Sequence, residues 1–81
     1  MRSVIRSSQS LGAELRNARR SAGLTQKELG ARINLRQATI SSLENGKAGT
    51  LDTLFRVIAC LKLELLMTER SQFALALDDI F

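Results

Sequence analysis

Apolar residues recur every three or four positions along most of this chain, which is the spacing of amphipathic helices. The first such series begins at Leu11 and continues to Ala22. Serines at positions 7, 8 and 10 can cap its start, and Gly23 is well placed to end it. The pattern predicts a first helix with an inner face of Leu11, Leu15, Ala18 and Ala22.

Two short helices are predicted next, between residues 25 and 45. The segment T-Q-K-E is a capping box, in which the hydroxyl of Thr25 accepts from the backbone N–H of Glu28 and the Glu28 carboxylate reaches back. We expect this helix to end at Asn34 and the next to begin near Gln37 and to end at the turn N-G. The inward residues are Leu29 and Ile33 in one helix and Ile40 and Leu43 in the other.

A fourth helix, capped by Thr50, is predicted from a second strong apolar series. Its positions follow the i, i+3, i+4, i+7 pattern of one buried helix face. The residues expected to face inward are Leu51, Leu54, Phe55, Ile58 and Leu61, with Cys60 as small core filler.

After the fourth helix the apolar period changes from helical to alternating, which predicts a short strand near residues 62–68. A single strand in a helical chain leaves its backbone donors and acceptors without partners. The simplest partner is the same strand of a second copy, related by a two-fold axis. The residues predicted for this dimer interface are Leu63, Leu65, Leu66 and Met67.

Length and composition favour one small domain that gains burial from another chain. The chain has 81 residues, a single cysteine and no histidine, so it lacks an internal disulfide and the commonest metal ligand and general base. We therefore expect no catalytic residue, no metal and no cofactor. We expect an N-terminal arm at 1–9, a domain at 10–69 and a tail at 70–81. With no apolar run of bilayer length and no signal-like segment, the sequence predicts a cytoplasmic protein without a membrane partner.

Charge divides the chain into two unlike halves. Residues 1–50 hold nine basic and three acidic side chains, a balance of +6, whereas residues 51–81 hold three basic and five acidic ones, a balance of −2. Nucleic acid is the natural partner of a basic half, because phosphate neutralisation supplies most sequence-independent affinity. An ordinary solvated basic surface is the alternative.

Residues 26–45 have the spacing of a helix-turn-helix, two short helices joined by a three- or four-residue turn. Gly30 supplies a small residue for close packing, and Asn34 tolerates the positive φ that the turn needs. The side chains left pointing outward from the second helix are small or polar, so the helix fits a DNA major groove. Glutamine there suits adenine and arginine suits guanine.

These residues resemble the lambda-repressor-like, XRE-type helix-turn-helix family. The resemblance covers Leu11 to Leu61 and is carried by G-L-T-Q-x-E-L and T-I-S-S-L-E-N-G-K. Q-A-T-I-S followed by L-x-L-x-M is most similar to the HipB-type antitoxins, which are dimeric repressors of their own operon that also bind a HipA-like kinase toxin. The resemblance implies an all-α bundle of four to five helices with a short C-terminal β-strand pairing across a dimer.

The same resemblance implies a sequence-specific repressor that binds a palindromic operator in double-stranded DNA. The alternative is a prophage-type or other XRE-family repressor with no toxin partner. The acidic, apolar tail from Ser71 to Phe81 is a candidate toxin-binding segment or simply a frayed terminus.

Residue roles carry over position by position. The resemblance implies a structural ion pair between Arg19 and Glu44, whereas Arg16, Arg20 and Arg32 are expected on a solvated face. Gly30 departs from the usual alanine, and Arg36 departs from the usual capping serine or threonine. The implied base contacts are Arg36, Gln37, Ala38, Ser41 and Ser42, and the implied DNA backbone contacts are Thr25, Gln26, Thr39, Asn45 and Lys47.

Overall fold

The computed structural model describes residues 4–47 and 49–70. This part of the chain folds into four α-helices, and the turn between the second and third is residues 33–36. The helices are α1 (Ser8–Ser21), α2 (Gln26–Arg32), α3 (Gln37–Glu44) and α4 (Leu51–Cys60). The predicted all-α helix-turn-helix fold is confirmed. Of the tail predicted at 70–81, residues 71–81 lie outside the described residues.

Local side-chain caps start α1, α2 and α4 where the sequence predicted. Ser7 caps α1, accepting from the backbone N–H of Ser10 at 3.0 Å. Thr25 accepts from the backbone N–H of Glu28 at 3.0 Å, and the Glu28 carboxylate accepts from the backbone N–H of Thr25 at 2.9 Å. Thr50 caps α4 through the N–H of Thr53. Each cap satisfies a donor that the first helical turn leaves unpaired.

Each of the four helices is followed, two residues after its last helical position, by one residue with a left-handed backbone. The next N–H then bonds back to a carbonyl of the last helical turn, as Leu63 does to Ile58 at 2.9 Å. This geometry sets the direction in which the chain leaves each helix. The left-handed residues, with their φ angles, are Gly23 (74°), Asn34 (56°), Gly46 (72°) and Lys62 (59°).

One apolar core joins the four helices. Leu29, Ile40 and Val57 are its largest fully buried side chains, contributed by α2, α3 and α4 respectively. The other buried apolar residues are Leu15, Leu24, Leu54 and Ile58, and the core is flanked by Leu11, Ile33, Leu35, Leu43, Cys60 and Leu61. The predicted inward residues of α2 and α3 therefore contribute to this core.

Two glycines allow close backbone contacts that fix the helix-turn-helix. A Cβ on Gly12 would lie 2.4 Å from the carbonyl oxygen of Glu44, so α1 and α3 touch backbone to backbone. A Cβ on Gly30 would lie 2.5 Å from the carbonyl oxygen of Leu35. Position 30 therefore requires a residue without a side chain, because the backbone of the turn, rather than α3, packs against α2 there.

The predicted inner face of α4 is partly wrong. Leu51 and Phe55 were expected inside but are 71% and 53% exposed, whereas Val57 is only 1% exposed. The buried residues of this helix are Leu54, Val57 and Ile58. Because α4 is apolar on most sides, its sequence offers two overlapping stripes, and packing against α2 and the core selects the second.

Residues 63–70, the described segment after α4, form neither helix nor strand. Residues 63–70 are all exposed, and Met67 is 99% exposed. The expected strand is therefore not formed inside one chain. Pairing between two copies stays a prediction.

None of the helices among the described residues is long and apolar enough to cross a membrane. Across residues 4–47 and 49–70 there is also no group of three or more His, Cys, Asp or Glu side chains that could hold a metal ion.

Candidate nucleic-acid interface

The first turn of α3 is an open surface of the helix-turn-helix. Arg36, Gln37 and Ala38 are exposed, and Ser41 and Ser42 follow half-buried one turn later. Arg36 stands at the N-cap, and its side chain makes no capping hydrogen bond. The five predicted base-contacting residues therefore lie along the outer part of a single helix.

A buried ion pair ties α1 to the end of α3. Glu44 is 3% exposed and Arg19 7% exposed. Arg19 donates from Nε to Glu44 Oε2 at 2.6 Å and from Nη2 to Glu44 Oε1 at 3.0 Å. Its third donor, Nη1, reaches the carbonyl oxygen of Leu24 at 2.8 Å. The pair that the family resemblance implied is present, and its guanidinium also holds Leu24, just before the cap of α2.

The charges of this pair are fixed by their contacts. Burial by itself would raise the pKa of Glu44, but hydrogen bonds from Arg19 and Gln26 and the charge of Arg19 outweigh it, so the pKa is lowered. The hydrogen bond with Glu44 raises the pKa of Arg19. At neutral pH Glu44 is a carboxylate that only accepts hydrogen bonds, and Arg19 only donates them.

One arm of hydrogen bonds runs from Glu44 to the first turn of α3. Gln26, at the start of α2, donates from Nε2 to Glu44 Oε1 at 3.1 Å. Gln37 in turn donates from Nε2 to Gln26 Oε1 at 3.4 Å. Gln26, predicted to contact the DNA backbone, and Gln37, predicted to contact a base, are thus hydrogen-bonded to each other and anchored on the buried carboxylate of Glu44.

A second arm runs from α1 to the middle of α3 through Arg16. Arg16 donates to Glu44 Oε1 at 3.4 Å and to Asn45 Oδ1 at 2.9 Å. Asn45 then donates from Nδ2 to Ser41 Oγ at 3.4 Å. The expectation that Arg16 is a solvated residue is wrong, since its side chain is only 35% exposed. Its spacing of three from Arg19, on the same face of α1, was the available signal.

The remaining predicted contact residues surround this face. Thr25 is exposed, but its hydroxyl already accepts a hydrogen bond in the α2 cap. Lys47 is exposed just beyond α3, where its N–H donates to the carbonyl of Ser42 at 2.9 Å. Thr39 is half-buried on another side of α3. A shallow depression beside the start of α4 is lined by Arg36, Ala38, Thr39, Ser42, Leu43, Gly49 and Thr53.

This arrangement belongs to a recognisable class of proteins. A family model described as helix-turn-helix matches residues 15–66. The chain belongs to this family, and it is an XRE-type, HipB-like member.

Solved structures that resemble this chain include several of HipB. One, described as a complex of a HipB variant with an O2 20mer, is 32% identical, with a TM-score of 0.81, and the match covers 88% of this chain and 100% of the other. Another, a HipB–O4 20mer complex, is 32% identical with a TM-score of 0.79 and covers 86% of this chain and 100% of that one. A HipA–HipB–O2–O3 complex gives the same values. Comparison with curated proteins finds no match.

Proposed function

We propose that this protein is a HipB-like antitoxin that acts as a sequence-specific DNA-binding repressor. The observation that carries the proposal is the outer face of α3, whose polar side chains are held from beneath by the buried Arg19–Glu44 pair. Membership of the helix-turn-helix family and likeness to the complex of a HipB variant with an O2 20mer support the same function.

The side chains on α3 divide the work of binding. Arg36, Gln37, Ala38, Ser41 and Ser42 contact base edges in the major groove, where glutamine matches adenine and arginine matches guanine. The residues around them bind phosphates and set the register of the helix on the duplex. These phosphate-binding residues are Thr25, Gln26, Thr39, Asn45 and Lys47.

We further propose that the active species is a homodimer. The segment after α4 carries four exposed apolar side chains, and the groove between this segment and α1 also exposes Val4 and Ile5. Burying them against a second copy completes the strand ladder that one chain lacks. Two recognition helices related by a two-fold axis then meet half-sites of a palindrome about 34 Å apart. The four interface residues are Leu63, Leu65, Leu66 and Met67.

The DNA-binding proposal is tested by footprinting on the DNA upstream of the protein's own gene. We expect a protected palindrome there. Gln37→Ala should weaken binding to this site selectively, whereas Lys47→Ala should weaken binding to operator and random duplex alike and lower the salt slope by about one unit. Equal losses of Gln37→Ala on both duplexes would remove Gln37 from base readout. Absence of any protected palindrome would contradict the proposal.

The antitoxin role adds a second partner, a HipA-like kinase. The likeness to the HipA–HipB–O2–O3 complex supports it, and the acidic, apolar residues 71–81 are the proposed contact. Co-purification with a kinase encoded next to this gene tests the pairing, and deletion of residues 71–81 tests the segment. Unchanged kinase binding after the deletion would refute the role of the segment. If no such kinase binds, a prophage-type or other XRE-family repressor is the better description.

The proposed activity is binding alone, without catalysis, metal or cofactor, and its place is the cytoplasm. A chain that acts on DNA through side chains of α3 has no need of a nucleophile at Ser41 or Ser42, and no histidine exists in the sequence to activate one. We treat 10–69 as the binding domain and 70–81 as a tail. The arm predicted at 1–9 is too long, because residues 8 and 9 belong to α1.

A further inference from the structure

Resting on the proposed DNA binding, we propose that the polar network beneath α3 makes Ser41 a hydrogen-bond donor that selects acceptor atoms on base edges. Asn45 and Arg16 are then positioning residues for sequence choice, although neither needs to touch a base. The proposal depends on the direction of each hydrogen bond rather than on the existence of the contacts.

The direction is forced at the Arg16 end. A guanidinium has five N–H donors and no acceptor, so Asn45 must turn its carbonyl oxygen, Oδ1, toward Arg16 at 2.9 Å. The amide of Asn45 then has only its N–H group left to face Ser41. Consequently Ser41 Oγ must accept the 3.4 Å hydrogen bond from Asn45 Nδ2. The hydroxyl proton of Ser41 is left to be donated elsewhere.

The direction is also forced along the glutamine arm. The Glu44 carboxylate has no donor, so Gln26 must use its N–H group on it, at 3.1 Å. The carbonyl oxygen of Gln26 then faces Gln37, which must donate to it at 3.4 Å. Gln37 keeps one N–H and its carbonyl oxygen, the pair that adenine requires. Both arms are therefore oriented by groups whose hydrogen-bonding sense cannot reverse at neutral pH.

A donor at Ser41 discriminates among bases in the major groove. Guanine N7 and O6, adenine N7 and thymine O4 are acceptors there, whereas the cytosine N4 amine is a donor. The bond that Ser41 accepts from Asn45 occupies one of the two lone pairs of its hydroxyl and strengthens that hydroxyl as a donor. Ser41 therefore favours a base that presents an acceptor over cytosine, to which it could offer only its second lone pair. A single neutral hydrogen bond of this kind corresponds to a preference of about 2- to 10-fold.

The decisive variant is Asn45→Asp, which keeps the shape of the side chain and its contact with Arg16 but removes the donor that faces Ser41. The Ser41 hydroxyl must then donate to the new carboxylate and turn its lone pairs toward DNA. We expect the binding of cytosine relative to guanine or thymine at that one position to rise about 2- to 10-fold. The added negative charge lowers affinity for every sequence alike. The charge by itself therefore does not alter the relative preference for cytosine.

The measurement is selection from a pool of duplexes with a randomised central stretch, followed by sequencing of the bound fraction. Ser41→Ala should flatten the preference at the same position. In the Ser41→Ala background, Asn45→Asp should leave the ratio where Ser41→Ala alone puts it. An unchanged ranking in Asn45→Asp, or a shift that persists without the Ser41 hydroxyl, would overturn the inference while leaving the repressor function intact.

Two further measurements keep the outcome clear. Failure of the unmodified protein to enrich any sequence would overturn the proposed DNA binding and this inference with it. Should Asn45→Asp fail to fold, as judged by circular dichroism, 7-deazaguanine placed at the selected base of the enriched duplex replaces the variant. Removing that N7 acceptor should weaken binding about 2- to 10-fold for the unmodified protein and leave Ser41→Ala unaffected. Equal effects on both proteins would overturn the inference.

Discussion

Two regions of this small domain differ in whether their side chains find partners within the chain. One is the polar network beneath α3, and the other is the segment after α4. Beneath α3, the buried carboxylate of Glu44 takes hydrogen bonds from Arg19, Gln26 and Arg16. No buried side-chain nitrogen or oxygen among the described residues lacks a partner. After α4, by contrast, apolar side chains such as Leu66 and Met67 are 73% and 99% exposed.

The contrast indicates that one chain is sufficient for the recognition face but insufficient for the segment that follows α4. Polar groups can be paired locally, because a few well-placed donors and acceptors satisfy each other. Apolar surface is removed from water only by another surface of matching area, and a short chain has little of it to spare. The recognition half should therefore be sensitive to changes within the chain, and the other half to changes in association.

The largest expected effect is the loss of the buried charge at Glu44. Glu44→Gln leaves the guanidinium of Arg19 buried without its anion, and we expect a loss of about 3–5 kcal/mol in the free energy of unfolding at neutral pH. Urea denaturation measures it, with Glu64→Gln on the exposed segment as the matched control. A loss no greater than that of Glu64→Gln would show that the Arg19–Glu44 pair contributes little to the free energy of unfolding.

The same pair predicts a pH dependence of definite sign. Because the pKa of Glu44 is lowered in the folded state, its contribution is present above the unfolded value of about 4.3 and is lost as the pH falls through the folded value. The difference in stability between the unmodified protein and Glu44→Gln should therefore narrow below about pH 4. A difference that stays constant on acidification would contradict the assignment of the shift to Glu44.

A smaller loss is expected where α1 and α3 touch. Gly12→Ala places a methyl group 2.4 Å from the carbonyl oxygen of Glu44, so the two helices must separate. We expect the free energy of unfolding to fall by about 1–3 kcal/mol, despite the better helix propensity of alanine. Gly49→Ala, whose new methyl would meet only a side-chain carbon of Leu43 at 3.4 Å, is the control. Equal behaviour of the two variants would argue against a tight α1–α3 contact.

The other half of the contrast is tested through association. Leu65→Lys places a charge in the proposed dimer interface, and we expect the dimer dissociation constant to rise at least about tenfold, which is 1.4 kcal/mol. The free energy of unfolding of the single chain should hardly change, because Leu65 is 45% exposed. Sedimentation measures the first and denaturation at low concentration the second. Leu51→Lys, exposed on α4, is the control. An equal rise in the dimer dissociation constant for Leu51→Lys would contradict an interface limited to the segment after α4.

The smallest effect is expected at Phe55. In the single chain Phe55→Ala removes a side chain that is already 53% exposed, so we expect a change within about 0.5 kcal/mol. Ile58→Ala, on the buried side of the same helix, should cost about 2–5 kcal/mol. A large loss at Phe55 that grows with protein concentration would place this side of α4 in the association surface as well.

Much of the fold follows from short-range chemistry that the sequence displays. Thr25 and Glu28 predict a capping box, and Asn34 predicts the positive φ of the turn, because each depends on atoms only a few residues apart. The helix boundaries could therefore be predicted from the sequence. The outward position of Gln37 followed in the same way, since the inward pair Ile40 and Leu43 leaves it on the opposite side of α3.

Other features depend on which surfaces meet. The sequence could not choose between the two apolar stripes of α4, because both Phe55 and Val57 fit a helical period. It also placed Arg16 in solvent, because the residue that binds it, Asn45, is 29 positions away in the chain. Lys62 gives no sign in its chemistry of the left-handed backbone that it adopts.

The sequence by itself determined where the helices of this protein begin and end, and which side chains α3 shows to solvent. Caps, turns and helical periods depend on neighbours within about one turn, so their energies are readable from the order of residues. The tertiary structure alone decided which stripe of α4 is buried, how closely α1 approaches α3, and the direction of each hydrogen bond from Glu44 and Arg16 to Gln37 and Ser41. These depend on groups brought together by packing, and only packing sets the distance and orientation on which a buried hydrogen bond relies.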